Sequence, residues 1–195
     1  MDTFLKIGFI AFLALSGYLT SCKSNQNLTE AQKQTFIQRG TAITQQVTAA
    51  LMSKLIPEVQ QNGPSQAIKY CSVQAIPTTD SISKQEKVTI SRISHRNRNP
   101  NNIANAAESE LINRYISQIN AGSTLSPTLK ANGSQTIFYS PIVIAMPTCL
   151  KCHGKLGQDL QPDVQETLQK LYPNDKATGF AQGELRGLFK IVFSK

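Results

Sequence analysis

The spacing of apolar positions along the chain passes from a continuous run, through helical periods, to strand-like clusters. Ile7 to Leu19, IGFIAFLALSGYL, is an unbroken apolar run that is too short to span a bilayer as a helix. Phe36, Ile37, Ile43, Val47, Ala50, Leu51 and Leu55 then recur at helical spacing behind a capping-box pair, Thr29 and Gln32. They predict a long first helix with one apolar stripe, reaching Pro57 or Asn62. Asn62-Gly63-Pro64-Ser65 breaks it, and a shorter helix follows to about Ile76, where Pro77 stops it. In that shorter helix Ala67, Ile68, Cys71 and Ala75 share one inward face. Val88 to Ile93, VTISRI, is rich in β-branched residues and reads as a strand. It runs into a polar, basic turn, His95 to Pro100. Leu111, Ile112, Tyr115, Ile116 and Ile119 mark a third helix closed by Asn120-Ala121-Gly122. Asn132-Gly133 predicts a tight hairpin turn before a strand from about Thr136 to Ala145, in which Pro141 requires an edge position or a bulge. Pro162, Asp163 and Glu166 open a fourth helix that carries Val164, Leu168 and Leu171 and ends before Pro173. Glu184 to Phe193 supplies the last strand. This order of elements predicts an α+β fold, an antiparallel sheet flanked by helices, with a long N-terminal helix.

Composition changes the picture mainly at the N-terminus. At 195 residues, 40% hydrophobic and 16% charged, the chain can bury one core and is short for two ordinary domains. The apolar run behind Lys6 has the length of a secretory signal core. Leu19-Thr20-Ser21-Cys22 resembles the lipobox of bacterial lipoproteins, in which the cysteine is acylated and becomes the new N-terminus. On that reading residues 1–21 are a lipoprotein signal peptide, residues 22–28 a tether anchored through Cys22, and residues 29–195 the folded domain. An ordinary cleaved signal is the alternative. Both place the domain outside the cytoplasm, and the lipid would hold it to a membrane on the periplasmic side in a Gram-negative bacterium.

Export makes each cysteine informative, because an unpaired thiol is a liability in an oxidising compartment. There are four, and if Cys22 carries lipid, Cys71, Cys149 and Cys152 need another occupation. Cys149-Leu150-Lys151-Cys152-His153 is the C-x-x-C-H attachment signature of c-type haem. Two thiols form thioethers with the two vinyl groups of one porphyrin, and the next residue brings an imidazole to the iron. Zinc would want four ligands, and Cys152 and His153 are adjacent residues that seldom reach one ion together. A thioredoxin-like redox pair would leave His153 without a purpose. One covalent haem c per chain is therefore the expected cofactor.

The second axial position has few candidates. His95 is the only other histidine, on a polar turn, and Met52 and Met146 are the methionines behind the signal. Met52 lies beside the stripe of the first helix, where packing filler is the plainer reading. Cys71 has no cysteine partner if Cys149 and Cys152 hold the porphyrin, although it also reads as a buried structural cysteine. An open site filled by water or a gas is the remaining option.

Two further stretches carry a resemblance. Arg92-Ile93-Ser94, then Arg98-Asn99-Pro100 and Asn102, resembles the R-x-S…R-N-P-x-N signature of a bacterial family of single-haem c-type proteins with a PAS-like fold, long catalogued as a domain of unknown function. Tyr172-Pro173, Asp175, Ala177, Gly179, Phe180, Gly183 and Arg186-Gly187 match its C-terminal signature, and Cys71 before Pro77 matches a third element. The resemblance covers the chain from about Thr29 onward. It implies a PAS-like sheet and an iron held by His153 and Cys71. It also implies a role in redox or gas sensing, in stand-alone exported proteins or in sensor modules of histidine kinases. The tryptophan that the family often carries after this signature is missing, since the chain has none and reads IANAAE over Ile103 to Glu108.

A thiolate ligand would lower the reduction potential of the iron, which favours a switch over a high-potential carrier. The reading is an exported, lipid-anchored sensor or redox switch without catalytic residues. A small electron-transfer cytochrome is the alternative, and a peroxidase is disfavoured because no acid–base pair is apparent. No kinase or other output segment accompanies the domain, so a signal would pass to an unidentified redox or signalling protein. The formal net charge of +8 suits anionic lipid or an acidic partner. Nucleic acid is excluded by export. Arg92, Arg96 and Arg98 could pair with a haem propionate or form a solvated basic loop.

Overall fold

The structure, a computed structural model, describes residues 28–132 and 134–194. The signal segment, Cys22, the tether up to Asn27 and the Gly133 half of the expected hairpin turn lie outside the described residues. Helix α1 (Glu30–Glu86) starts at the expected capping box: the Gln32 amide donates to Thr29 Oγ1 at 3.2 Å and the Thr29 amide to Gln32 Oε1 at 2.9 Å. It consists of two arms that meet at Gly63, where φ is +79° and ψ is 166°, a backbone region that essentially only glycine enters. Pro64 opens the second arm, where its missing N–H costs nothing.

That second arm corrects the expected stop at Pro77, because it continues to Glu86. Proline removes one helical donor and crowds the carbonyl four residues back. Here that residue, Val73, is 65% exposed, so water can satisfy its carbonyl. Thr78 and Thr79 donate their hydroxyls to the carbonyls of Gln74 and Ala75, each at 2.8 Å. Burial of Thr79 and Ile82 beyond the proline then favours continuing the helix over ending it.

Strands β1 (Thr89–Ile93), β2 (Thr128–Asn132), β3 (Gln135–Val143) and β4 (Leu185–Phe193) form one antiparallel sheet in the order β1-β4-β3-β2. Helix α2 (Ala106–Asn120) sits between β1 and β2 in the chain and opens on a second capping box, Asn105 with Glu108. The α+β class, the antiparallel sheet flanked by helices and the long N-terminal helix agree with the expectation. β2 carries too few apolar residues to announce itself. Pro141 meets both conditions set for it: it lies beyond the last β2 pair, Thr128 with Tyr139, and next to the irregularity at Ile142 and Val143.

Alternation along the strands feeds two cores. Ile90, Phe138, Phe189, Ile191 and Phe193 face α1 through Ile43, Val47 and Ile82. Ile93, Ile137, Tyr139, Leu185 and Leu188 face α2 through Leu111, Ile112 and Tyr115. Helix α4 (Pro162–Leu171) packs Val164 and Leu168 on Ile68 of the second α1 arm. Ser65 and Thr167 lock the two helices through a 2.7 Å hydroxyl contact. The second arm is thereby held beside the segment that carries the two neighbouring cysteines.

Candidate functional site

Cys149, Cys152 and His153 lie on a short helix, α3 (Pro147–His153), which follows β3. Seven residues are too few to show a helical period, and Pro147 at the first position is the main local signal. The helix places Cys149 and Cys152 one turn apart on the same face. Both line a cavity of about 490 Å³, within the size range of small-molecule sites. Gly154 ends the helix in a tight corner: a Cβ there would stand 2.4 Å from Asp159 Cβ and 2.6 Å from the Leu150 carbonyl. The backbone after the histidine therefore accepts no side chain.

His153 is held from three directions by the segment around Ala177. Its Nδ1 lies 2.7 Å from the Ala177 carbonyl oxygen. A carbonyl only accepts, so Nδ1 donates and the lone pair resides on Nε2. The Phe180 amide donates to the His153 carbonyl at 2.9 Å and the Gly179 amide to the Gly154 carbonyl at 2.7 Å. The Phe180 ring meets the imidazole edge-on, with centroids 6.3 Å apart. Burial, with Arg98 and Arg186 adding to it, holds His153 well below the ordinary imidazole range, so the ring is neutral and able to ligate.

Arg98 ties this segment to α3. Its guanidinium pairs with Asp175 at 3.0 Å and donates to the Cys152 carbonyl at 2.6 Å, while the other Asp175 oxygen accepts the Ala177 amide at 2.8 Å. One buried ion pair thus aligns the carbonyl that orients His153. Asn99, next along, caps the short 3₁₀ turn Pro100–Asn102 by accepting the Asn101 amide at 2.9 Å. Ser94 donates to the Arg186 carbonyl at 2.9 Å, and a Cβ on Gly187 would sit 2.4 Å from the Ile93 carbonyl. The separated signature residues are therefore one contact network around α3.

Cys71 comes from the second α1 arm into the same cavity as Cys149, Cys152 and His153, which brings the four expected cofactor residues together. Burial pushes the Cys71 thiol up, and the Arg92 charge opposes that. Burial also pushes the Cys152 thiol up, to about 11. None of the three described cysteines forms a disulfide with another. Met52 and Met146 also line the cavity, so Met52 belongs to its wall and not to the core cluster, whereas His95 stands outside it.

The basic turn resolves into separate roles. Arg98 is committed to Asp175 and the α3 backbone. Arg96 stacks on Phe180 at 3.6 Å from the ring centroid and donates to the Thr178 carbonyl. Arg92 faces the cavity and is joined there by Arg186 from β4. The role of Arg186 was not apparent from the chain, since its partners come from other elements.

These groups fit the expected porphyrin: two thiols on one helix face, a neutral imidazole with a free Nε2, a thiol on another wall, and cationic side chains at the same cavity. Among the described residues no group of three or more His, Cys, Asp or Glu is arranged to hold a metal ion unaided. A family model described as Tll0287-like matches residues 23–194. The chain is also similar to a solved structure described as the crystal structure of the cyanobacterial heme-protein Tll0287. The TM-score is 0.62 at 18% identity, over 81% of this chain and 94% of that one, a likeness of fold. No curated protein matches.

Proposed function

We propose, on the premise that this chain belongs to the Tll0287-like family, that it is an exported protein carrying one covalent haem c and acting as a redox or gas sensor. The observation that supports this most strongly is the presence of Cys71, Cys149, Cys152 and His153 on one cavity. Cys149 and Cys152 supply the two thioether sulfurs. His153 would offer Nε2 to the iron, with its tautomer set by the Ala177 carbonyl. Cys71 would offer its sulfur. When bound, a haem with imidazole and thiolate ligands supplies a low-potential one-electron centre.

Cys71 is the exchangeable side of the pair. His153 is pinned through its ring, its own carbonyl and the backbone of Gly154, whereas Cys71 is carried by an arm that joins the rest of α1 at the Gly63 break. Its release would open a position for a small gas and remove one restraint on the arm, turning a redox change into local motion. Cys22 anchors the domain by lipid on the extracytoplasmic face of a membrane, and an unidentified redox or signalling protein receives the output.

Intact-mass measurement on protein matured through an export pathway tests the cofactor, with one added haem as the expected result and no added macrocycle as the overturning one. Anaerobic redox titration with and without carbon monoxide tests the role. Sensing predicts ligand exchange and carbon monoxide binding on reduction. A reversible potential with unchanged ligation would point to a small electron-transfer cytochrome instead.

A further inference from the structure

Arg92, Arg98 and Arg186 line the same cavity as the thiols and the imidazole. Arg186 lies within electrostatic range of Arg92, Arg96 and Arg98. Among the described residues only two of these four form an ion pair, Arg98 with Asp175 at 3.0 Å and Arg96 with Glu184 at 3.9 Å. The Arg92 guanidinium makes no hydrogen bond and no ion pair with any described residue, though the Cys71 sulfur lies within its electrostatic range. The Arg186 guanidinium makes one hydrogen bond, from Nη1 to the Arg96 carbonyl at 2.9 Å. A guanidinium carries five N–H donors, and a desolvated charge without a partner is costly.

Burial lowers Arg92, opposed by Cys71 and Tyr172, and burial together with the neighbouring arginines lowers Arg186 to about 10, opposed by the Asp175 charge. Two arginines at one ligand-sized cavity, neither with an ion pair among the described residues, call for an anion. Both line the cavity and both come from the region where β1 and β4 pair, so the sheet holds them in place. Ser94 fixes the Arg186 backbone, and the missing side chain at Gly187 lets β1 approach. Such forks are built for bidentate carboxylate recognition.

We infer that Arg92 and Arg186 form a carboxylate cradle that holds the two propionates of the porphyrin, an inference that rests on the haem reading above. Two unpaired guanidiniums match two carboxylates in charge. Arg96 and Arg98, which the chain alone offers equally, are excluded from the cradle because Phe180, Thr178, Asp175 and the Cys152 carbonyl already occupy them.

The test uses haem-loaded protein matured by export, with Arg92→Gln and Arg186→Gln compared with the parent by resonance Raman spectroscopy. The propionate bending bands report contacts to the carboxylates directly, which a purely structural arginine would not move. Both Gln variants are expected to shift them, with Arg92→Lys restoring part of the shift because it keeps the charge and loses the fork. Should a Gln variant fail to accumulate, the Lys variant at the same position decides, a shifted band supporting the cradle and a coincident one opposing it. Unmoved bands in protein whose mass includes the haem would overturn the cradle and leave the haem reading standing. Absence of the haem from the parent protein would overturn both.

Discussion

The Nδ1 of His153 donates to the Ala177 carbonyl at 2.7 Å, across 24 residues of chain. Ala177 is itself placed by Asp175, and Asp175 by Arg98. The orientation of the His153 imidazole is therefore set by a buried ion pair two contacts away, the kind of support that metal-ligating histidines receive.

Asp175→Asn should destabilise the fold by about 3–5 kcal/mol, because it leaves Arg98 buried without its counter-charge. It should also broaden the haem absorption bands as His153 loses its fixed orientation. Urea unfolding and the optical spectrum of the loaded protein check the two effects. A variant with parental stability would show that the pair does not organise the site.

Cys71→Ala should change the ferric absorption spectrum by removing a thiolate ligand, with one haem still present by mass. Its reduction potential should rise, since a thiolate favours ferric iron. A ferric spectrum identical to the parent's would rule out Cys71 as a ligand.

Gly187→Ala should cost about 1–3 kcal/mol through overpacking, because the new Cβ would stand 2.4 Å from the Ile93 carbonyl and 3.1 Å from Ser94 Cβ. Relief requires β1 and β4 to move apart, which also displaces Arg186. Denaturant midpoints read the loss, and an unshifted midpoint would contradict the close approach of the strands.

Tyr139 should make the fold sensitive to alkali. Burial, with the Glu108 charge beside it, pushes its phenol up to about 12, against an ordinary value of about 10 in the unfolded chain. Below about pH 10 both states are protonated and the contribution is complete. As pH rises toward 12 the unfolded state loses its proton first, so up to about 2–3 kcal/mol of stability is lost. Tyr139→Phe removes that group and should flatten the decline between pH 9 and pH 11.5 in urea unfolding (~10 and ~12 being the two phenol values). Equal slopes for variant and parent would refute the assignment.

Wherever a few neighbouring residues suffice, the chain was readable. The capping box of Thr29 and Gln32, the break at Gly63, the strand at Ile90 and the helix opened by Pro162 follow from local spacing and backbone preference. The C-x-x-C-H run names its chemistry because the thioether spacing lies within five consecutive residues. Pro77 misleads for the opposite reason: its local penalty is outweighed by burial of Thr79 and Ile82, which no local rule contains. The α3 helix was hidden because it is too short to repeat its pattern.

By itself, then, the sequence determined the order of the elements other than β2 and α3, the α+β class and the presence of two thiols and an imidazole in attachment spacing, since short-range geometry dictates all three. Only the tertiary structure decided that Cys71 lines the same cavity as those groups while His95 does not, and that Arg98 is spent on Asp175, 77 residues away, while Arg92 and Arg186 have no ion pair among the described residues. The physical reason is that burial and partner choice depend on which distant strands and helices come together. Ser94 and Arg186, 92 residues apart in the chain, meet at 2.9 Å.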